Sequence, residues 1–227
     1  MSIEIYIGIV QFIVLLLSLS IHESAHAWSA DRLGDPTARY LGRVSLNPMV
    51  HADLMGTIVF PLMGIFVLRG AMFGWAKPVP VNVSRLRHPS RDHMLVAAAG
   101  PVSNLLLATV LFVFLIIVKF SSANGREMIY RVAANDVSGG SILLPLTLVA
   151  YHGMMLNLLL AVFNLIPVAP LDGAAVVSGL LPRSLANVLE QMQSYGFMLL
   201  LALMYLGVPG MLFYPVRDFV LSYLIPI

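Results

Sequence analysis

The sequence predicts an all-α polytopic membrane protein, on three observations. Of 227 residues, 59% are hydrophobic and only 11% charged, against roughly 25% charged in an ordinary soluble domain. Mean hydropathy is +0.89. The apolar residues are also gathered into stretches that reach the roughly 20 residues a spanning helix needs. A soluble globular domain and a disordered chain are both excluded. The formal charge of +2 carries no basic cluster of the kind a nucleic-acid surface requires, so no nucleic-acid partner is expected. The absence of cysteine removes disulfides, thiol catalysis and thiolate metal sites.

Taken in order, the first stretch runs from Ile5 to Ala30. Glu4 is its only early charge, and it continues without a cleavage site into His22 and Glu23, so it reads as a retained helix and not a signal peptide. Leu54 to Leu68 spans 15 residues and is interrupted by Gly56, Pro61 and Gly64. A run so short reads as re-entrant or interfacial. The following GWAKPVPVN (74–82) favours extended backbone, because each residue before a proline is pushed out of the helical region. A re-entrant loop or short β-sheet is therefore expected between the first and second long helices. The next two long stretches are Met94–Phe120 and Ile142–Leu165. A fourth covers Met192–Val208 and is broken by Pro209-Gly210. Met211–Leu224 contains Arg217 and Asp218 and reads as a half-span or interfacial helix. The total is about 4–6 membrane helices in one domain over residues 1–227, with a core at about 5–180 and C-terminal helices at about 190–224.

An ionisable side chain at the centre of a membrane helix costs about 2.5–3.5 kcal/mol on insertion scales. The first helix nevertheless carries His22-Glu23-Ser24-Ala25-His26. Histidines four apart share one helical face, a spacing at which both imidazoles can bind one zinc ion with Glu23 beside it as general base. A pair of water-facing histidines at a helix end is the plainer reading, but it leaves three costly groups uncompensated. A catalytic zinc usually takes a third protein ligand. Among the acids Asp172 stands out, because it leaves an apolar helix in a turn stiffened by prolines and followed by Gly173. Alternatively it caps the next short helix.

Convergence of His26 and Asp172 requires the first and third long helices to be parallel, so Leu54–Leu68 must not cross. On that topology one side holds Arg32, Arg39, Arg43, Arg69, Lys77, Arg85, Arg87, Arg91 and Arg183, and the other Lys119, Arg126 and Arg131. A crossing would divide them evenly. The positive-inside rule then places the N-terminus outside and the histidines towards the cytoplasm.

HESAH in an apolar helix, Gly100-Pro101-Val102-Ser103-Asn104, and NLIPVAPLDG at 164–173, with LGRVSLNP (41–48) and GWAKPVPVN between them, resemble the site-2 protease family of intramembrane zinc metallopeptidases. The small bacterial-type branch without PDZ or CBS modules is the nearest likeness, over residues 15–180. Ala174 follows Asp-Gly where the family often has a second glycine or another small residue. The resemblance implies one zinc per chain on His22, His26 and Asp172, and Glu23 as the catalytic carboxylate. It also implies substrate or oxyanion roles for Asn164 and Asn104, and a transmembrane protein or peptide as substrate in a bacterial inner membrane. The expected activity is zinc-dependent endopeptidase cleavage of transmembrane segments, with Ile58–Phe66 or Trp75–Val83 capturing an unwound substrate by strand addition. An ion or metal transporter using the same residues as a relay, and a catalytically silent zinc-binding protein, are the alternatives. Gly100, Ser103 and Ala108 also fit a small-residue packing face. His152 reads as structural or interfacial, His88 and His93 as parts of a solvated basic loop, and His51 with Asp53 as a cap or loop pair or, alternatively, a second metal pair.

Overall fold

The structure, a computed structural model, describes residues 2–67, 74–121, 123–137, 141 and 143–225. Helix α1 (Ile3–Arg32) is followed by two single turns, α2 (Thr37–Tyr40) and α3 (Pro48–His51). A π-helical segment, Leu54–Val59, runs into α4 (Phe60–Phe66). The other helices are α5 (Pro89–Ser121), α6 (Ala123–Ala133), α7 (Leu143–Asn164), α8 (Asp172–Leu180), α9 (Arg183–Met192), α10 (Gly196–Tyr205) and α11 (Val208–Leu224).

Among the described residues three helices, α1, α5 and α7, are long and apolar enough to cross a membrane. A fourth span is available if Gln193–Tyr205 and α11, bent by 59°, count as one. The expected break at Pro209-Gly210 falls earlier: Gly207 takes the left-handed region at φ 73° and α11 starts at the next residue. Pro209 lies in the first turn of α11, where its missing N–H removes no helical bond.

Side-chain pairs give the helix directions. His26 lies against Val96 and His22 against Asn104, so α5 runs antiparallel to α1. Asn104 meets Asn157 and Leu111 faces Gly153, so α7 runs antiparallel to α5. Gln11 pairs with His152 and Ser18 with Asn157, which makes α1 and α7 parallel. Leu148, Met154, Leu115 and Val132 are fully buried between these helices, α6 and α11. On the outer face of α5, Leu106, Val110, Ile117 and Phe120 are exposed, a surface suited to hydrocarbon.

Residues 43–67 and 74–82 form an arm along α1. Ser20 and Ser24 hydroxyls donate to the carbonyls of Leu46 and Ser45, which draws the loop down α1 from its C-terminal end. Farther down, Ile65 packs on Gly8, where a Cβ would meet its side chain at 2.9 Å. The chain then returns: Trp75 N–H donates to Gly56 O, Lys77 N–H to His51 O, and Ala76 packs on Leu15 and Leu19. Residues 68–73 lie outside the described residues.

No strand occurs among the described residues, so the expectation of a short sheet is corrected there. Ile58–Phe66 is helical, because Pro61 sits in the first turn of α4 where a proline is tolerated. Residues 75–82 form no regular element, and the N–H groups of Trp75, Lys77 and Val79 are taken by single partners and not by a ladder. Pro78 and Pro80 remove the donors from the opposite edge.

The base of the arm is tied to the exit of α1. Asp35, fully buried, accepts from Thr37 Oγ1 at 2.5 Å, Thr37 N–H at 3.1 Å and Asn82 N–H at 2.6 Å. Arg87 N–H adds a bond to Leu33 O. Burial works to raise the Asp35 carboxyl, but these hydrogen bonds and the nearby Arg85 charge outweigh it and hold the group below the ordinary carboxylate range. A depressed native pKa contributes stability that is present above the unfolded value of about 3.9 and is lost as pH falls through the folded one. Limited proteolysis of the arm should therefore accelerate as pH drops below about 4. Asp35→Asn should speed it at neutral pH and flatten that acid dependence.

Candidate metal centre

His22 and His26 project from one face of α1, their rings edge-to-face with centroids 4.6 Å apart. Their Nε2 atoms are 3.1 Å from one another. Each Nδ1 is already engaged, His26 with Val96 O at 2.7 Å and His22 with Asn104 Oδ1 at 2.5 Å. A carbonyl oxygen can only accept, so His26 Nδ1 carries the proton and, in the neutral ring, Nε2 keeps its lone pair. The same holds for His22 as Asn104 is oriented. An oxygen acceptor behind the ring is the usual way a ligating histidine is fixed.

Asp172, the first residue of α8, completes the group. Its Oδ2 is 3.2 Å from His22 Nε2 and its Oδ1 is 3.4 Å from His26 Nε2. The connection from α7 is tight: a Cβ at Gly173 would strike the carbonyls of Leu165 and Ile166, which is why a glycine follows the aspartate. The carboxylate turns to the histidines and does not cap α8, whose N-terminus has no side-chain cap. Buried Asp172 Oδ2 receives no hydrogen bond despite that approach.

Two imidazole lone pairs and a carboxylate so close together repel unless positive charge lies between them. Ligand atoms from all three residues lie within 4.8 Å of one another. A tetrahedral zinc with bonds of about 2.0–2.1 Å separates its ligand atoms by about 3.3 Å, close to the 3.1 Å between the two Nε2 atoms and the 3.2–3.4 Å from each to the nearer carboxylate oxygen. The donor set, two neutral imidazoles and a carboxylate, fits zinc. The α5 residue facing the rings is Gly100, and the rings pack into the space a side chain would take. A Cβ there would fall on His26 Nε2 and within 2.6 Å of His22 Cε1.

Beside this cluster lies a cavity of about 590 Å³, into which Glu23 and all three candidate ligands face. Trp75, Pro78 and Val79 from the arm wall one side, and Phe163, Asn164 and Leu171 another. Glu23 Oε2 accepts from Val79 N–H at 3.1 Å. The arm thereby holds the carboxylate at the edge of the cavity, next to the cluster.

The chain matches the sequence model of Peptidase family M50 over residues 10–206. It belongs to that family. This M50 peptidase is 38% identical over 191 residues to "Putative zinc metalloprotease YwhC" of Bacillus subtilis, a match covering 84% of this chain and 78% of the relative. It is 27% identical over 202 residues to "Putative zinc metalloprotease Rip2" of Mycolicibacterium smegmatis, covering 88% and 68%. No solved structure matches it. Family and relatives make the M50 peptidase a zinc metalloprotease of the site-2 protease kind.

The structure brings His22, Glu23, His26, Asp172 and Asn164 to one cavity. Asn164 donates to Leu160 O at 2.9 Å and stays at the rim. Asn104 is placed otherwise: it is fully buried behind His22, spends its amide nitrogen on Asn157 Oδ1, and does not line the cavity. An oxyanion role for it is corrected on that ground. His93 belongs to the first turns of α5 and lines the cavity, contrary to its reading as a loop residue. Asp53 caps the π-helical segment through Gly56 N–H at 2.7 Å, while His51 Nε2 donates to Ser45 O. Gly100 stood in the Gly100–Asn104 motif, but its place against the rings was not legible, and Asn157, Ser18 and the Val79 amide were not legible as parts of the site. Of these three, Asn157 gave a signal, as an amide in an apolar helix.

In Gly100→Val the imidazoles must move apart or back. Zinc retained after purification should fall at least tenfold while the helical circular-dichroism signal is preserved; metal analysis against protein concentration reads this directly.

Proposed function

We propose that this M50 peptidase is an intramembrane endopeptidase that cleaves transmembrane protein or peptide segments with one zinc per chain. His22, His26 and Asp172 hold the metal and Glu23 is the general base. The observation that carries this reading is the donor cluster opening onto a cavity inside a bundle of apolar helices. His26 and His22 stand 6 and 10 residues before the end of α1, about 9 and 15 Å along its axis. The arm is read as re-entrant, dipping along α1 and returning to the same side. With it the arginine distribution supports a cytoplasmic opening, an outside N-terminus and a bacterial cell membrane. The span formed by Gln193–Tyr205 and α11 is the fourth crossing.

Zinc, when bound, supplies Lewis acidity towards the scissile carbonyl and makes water a better nucleophile. Glu23 accepts the proton of the attacking water at its carboxylate and delivers it to the leaving amine nitrogen, so the proton count closes over one hydrolysis. Val79 N–H fixes one Glu23 oxygen and leaves the other for that proton. Asn164, at the rim, is positioned to donate to a substrate carbonyl or the oxyanion. Trp75, Pro78 and Phe163 provide an apolar wall for a locally unwound segment.

Glu23→Gln should lower cleavage of a transmembrane substrate in detergent or liposomes by about 10²–10⁴-fold, with zinc content unchanged. Asp172→Ala should lose zinc and activity together. Cleavage by Glu23→Gln at the wild-type rate would remove this carboxylate from the chemistry. Zinc-loaded wild type that cuts no transmembrane substrate, yet cuts soluble peptides, would overturn the intramembrane assignment.

A further inference from the structure

Behind the candidate ligands a second polar group crosses the bundle. Ser18 on α1, Asn104 on α5 and Asn157 on α7 are buried to 1% exposure or less. Asn157 Nδ2 donates to Gly153 O and to Ser18 Oγ, both at 2.8 Å. Asn104 Nδ2 donates to Asn157 Oδ1 at 2.7 Å, and Asn104 Oδ1 faces His22 Nδ1.

The direction of this chain is not free. Gly153 O is a backbone carbonyl and can only accept, so the Asn157 edge facing it is the NH2. The Asn157 edge facing Asn104 must then be its oxygen. Asn104 must answer with NH2, which leaves its oxygen towards His22. His22 Nδ1 can satisfy that oxygen only by carrying a hydrogen, and the lone pair of the neutral ring is thereby assigned to Nε2. His26 needs no such relay, because Val96 O faces it directly.

We infer that Asn157, anchored by Gly153 O and Ser18, is a positioning residue that fixes the His22 tautomer through Asn104 and so holds the metal site in its ligating form. This rests on the assignment of His22 as a zinc ligand. Without Asn157, Asn104 can turn its amide over, present NH2 to Nδ1 and favour the ring with hydrogen on Nε2, which cannot bind a cation.

The test is zinc affinity by chelator competition, with the visible spectrum of the cobalt-loaded protein and the metal-free thermal midpoint alongside. Asn157→Leu removes the relay at similar volume. Asn157→Ser keeps a hydroxyl that can bond back to Gly153 O within the helix but is one atom shorter towards Asn104, and it serves where the leucine variant does not fold. Each variant should bind zinc about 10–100-fold more weakly, the range for loss of an outer-shell partner, with a broadened or shifted cobalt spectrum. The metal-free serine variant should melt near wild type. Affinity within twofold of wild type and an unchanged cobalt spectrum would overturn the inference. Failure of wild type itself to bind zinc would overturn the metal assignment instead, so the two are told apart.

Discussion

Everything in this bundle answers to the close approach of three electron-pair donors between apolar helices. Two imidazole nitrogens and a carboxylate at 3.1–3.4 Å are unfavourable company without a cation. Keeping them there takes work from every element. Helix α1 supplies the pair at one-turn spacing, and α5 supplies the missing side chain at Gly100 and the carbonyl of Val96. Helix α7 runs parallel to α1 so that Asp172 emerges at the depth of the histidines. The bundle is arranged around an electrostatic demand that a cation resolves.

Buried polarity behind the candidate ligands is accordingly paired. The Ser18–Asn157–Asn104 group has hydrogen-bond partners on three helices, which is what makes amides tolerable in an apolar interior. The exception at the site is Asp172 Oδ2, a buried acceptor with no donor. That atom is where metal coordination has most to add.

Much of this was legible in the sequence because membrane residence makes polar residues conspicuous. His22, Glu23 and His26 interrupt an apolar run, and Asp172 sits in a proline-stiffened turn, so each announced itself through the cost of being there. Parity of the long helices followed from requiring those residues to meet, and the pairs 11–152 and 18–157 show α1 and α7 parallel. What stayed hidden was whatever depends on backbone or on absence. The Val96 carbonyl and the Val79 amide have no residue-type signature. Gly100 read equally as a motif residue and as packing, because a glycine does not say which neighbour occupies its missing methyl. The region 54–82 was misjudged in part because Pro61 breaks a helix only away from the first turn, and sequence alone does not locate that turn. Asn104 was assigned to the right neighbourhood but to the wrong side of the imidazole.

The knot that Asp35 makes with the Asn82 amide, 47 positions away, closes the arm at its base. A long excursion that departs from and returns to one point is indifferent to its own contour length: doubling a flexible loop costs only about 0.6 kcal/mol in closure entropy. Residues inserted between Val67 and Gly74 would leave the register of Val79 against Glu23 intact, because that register is set from the Asn82 end. The protein therefore separates a stretch where length is adjustable from one where a single-residue slip would unseat the base, and both are carried on the same piece of chain.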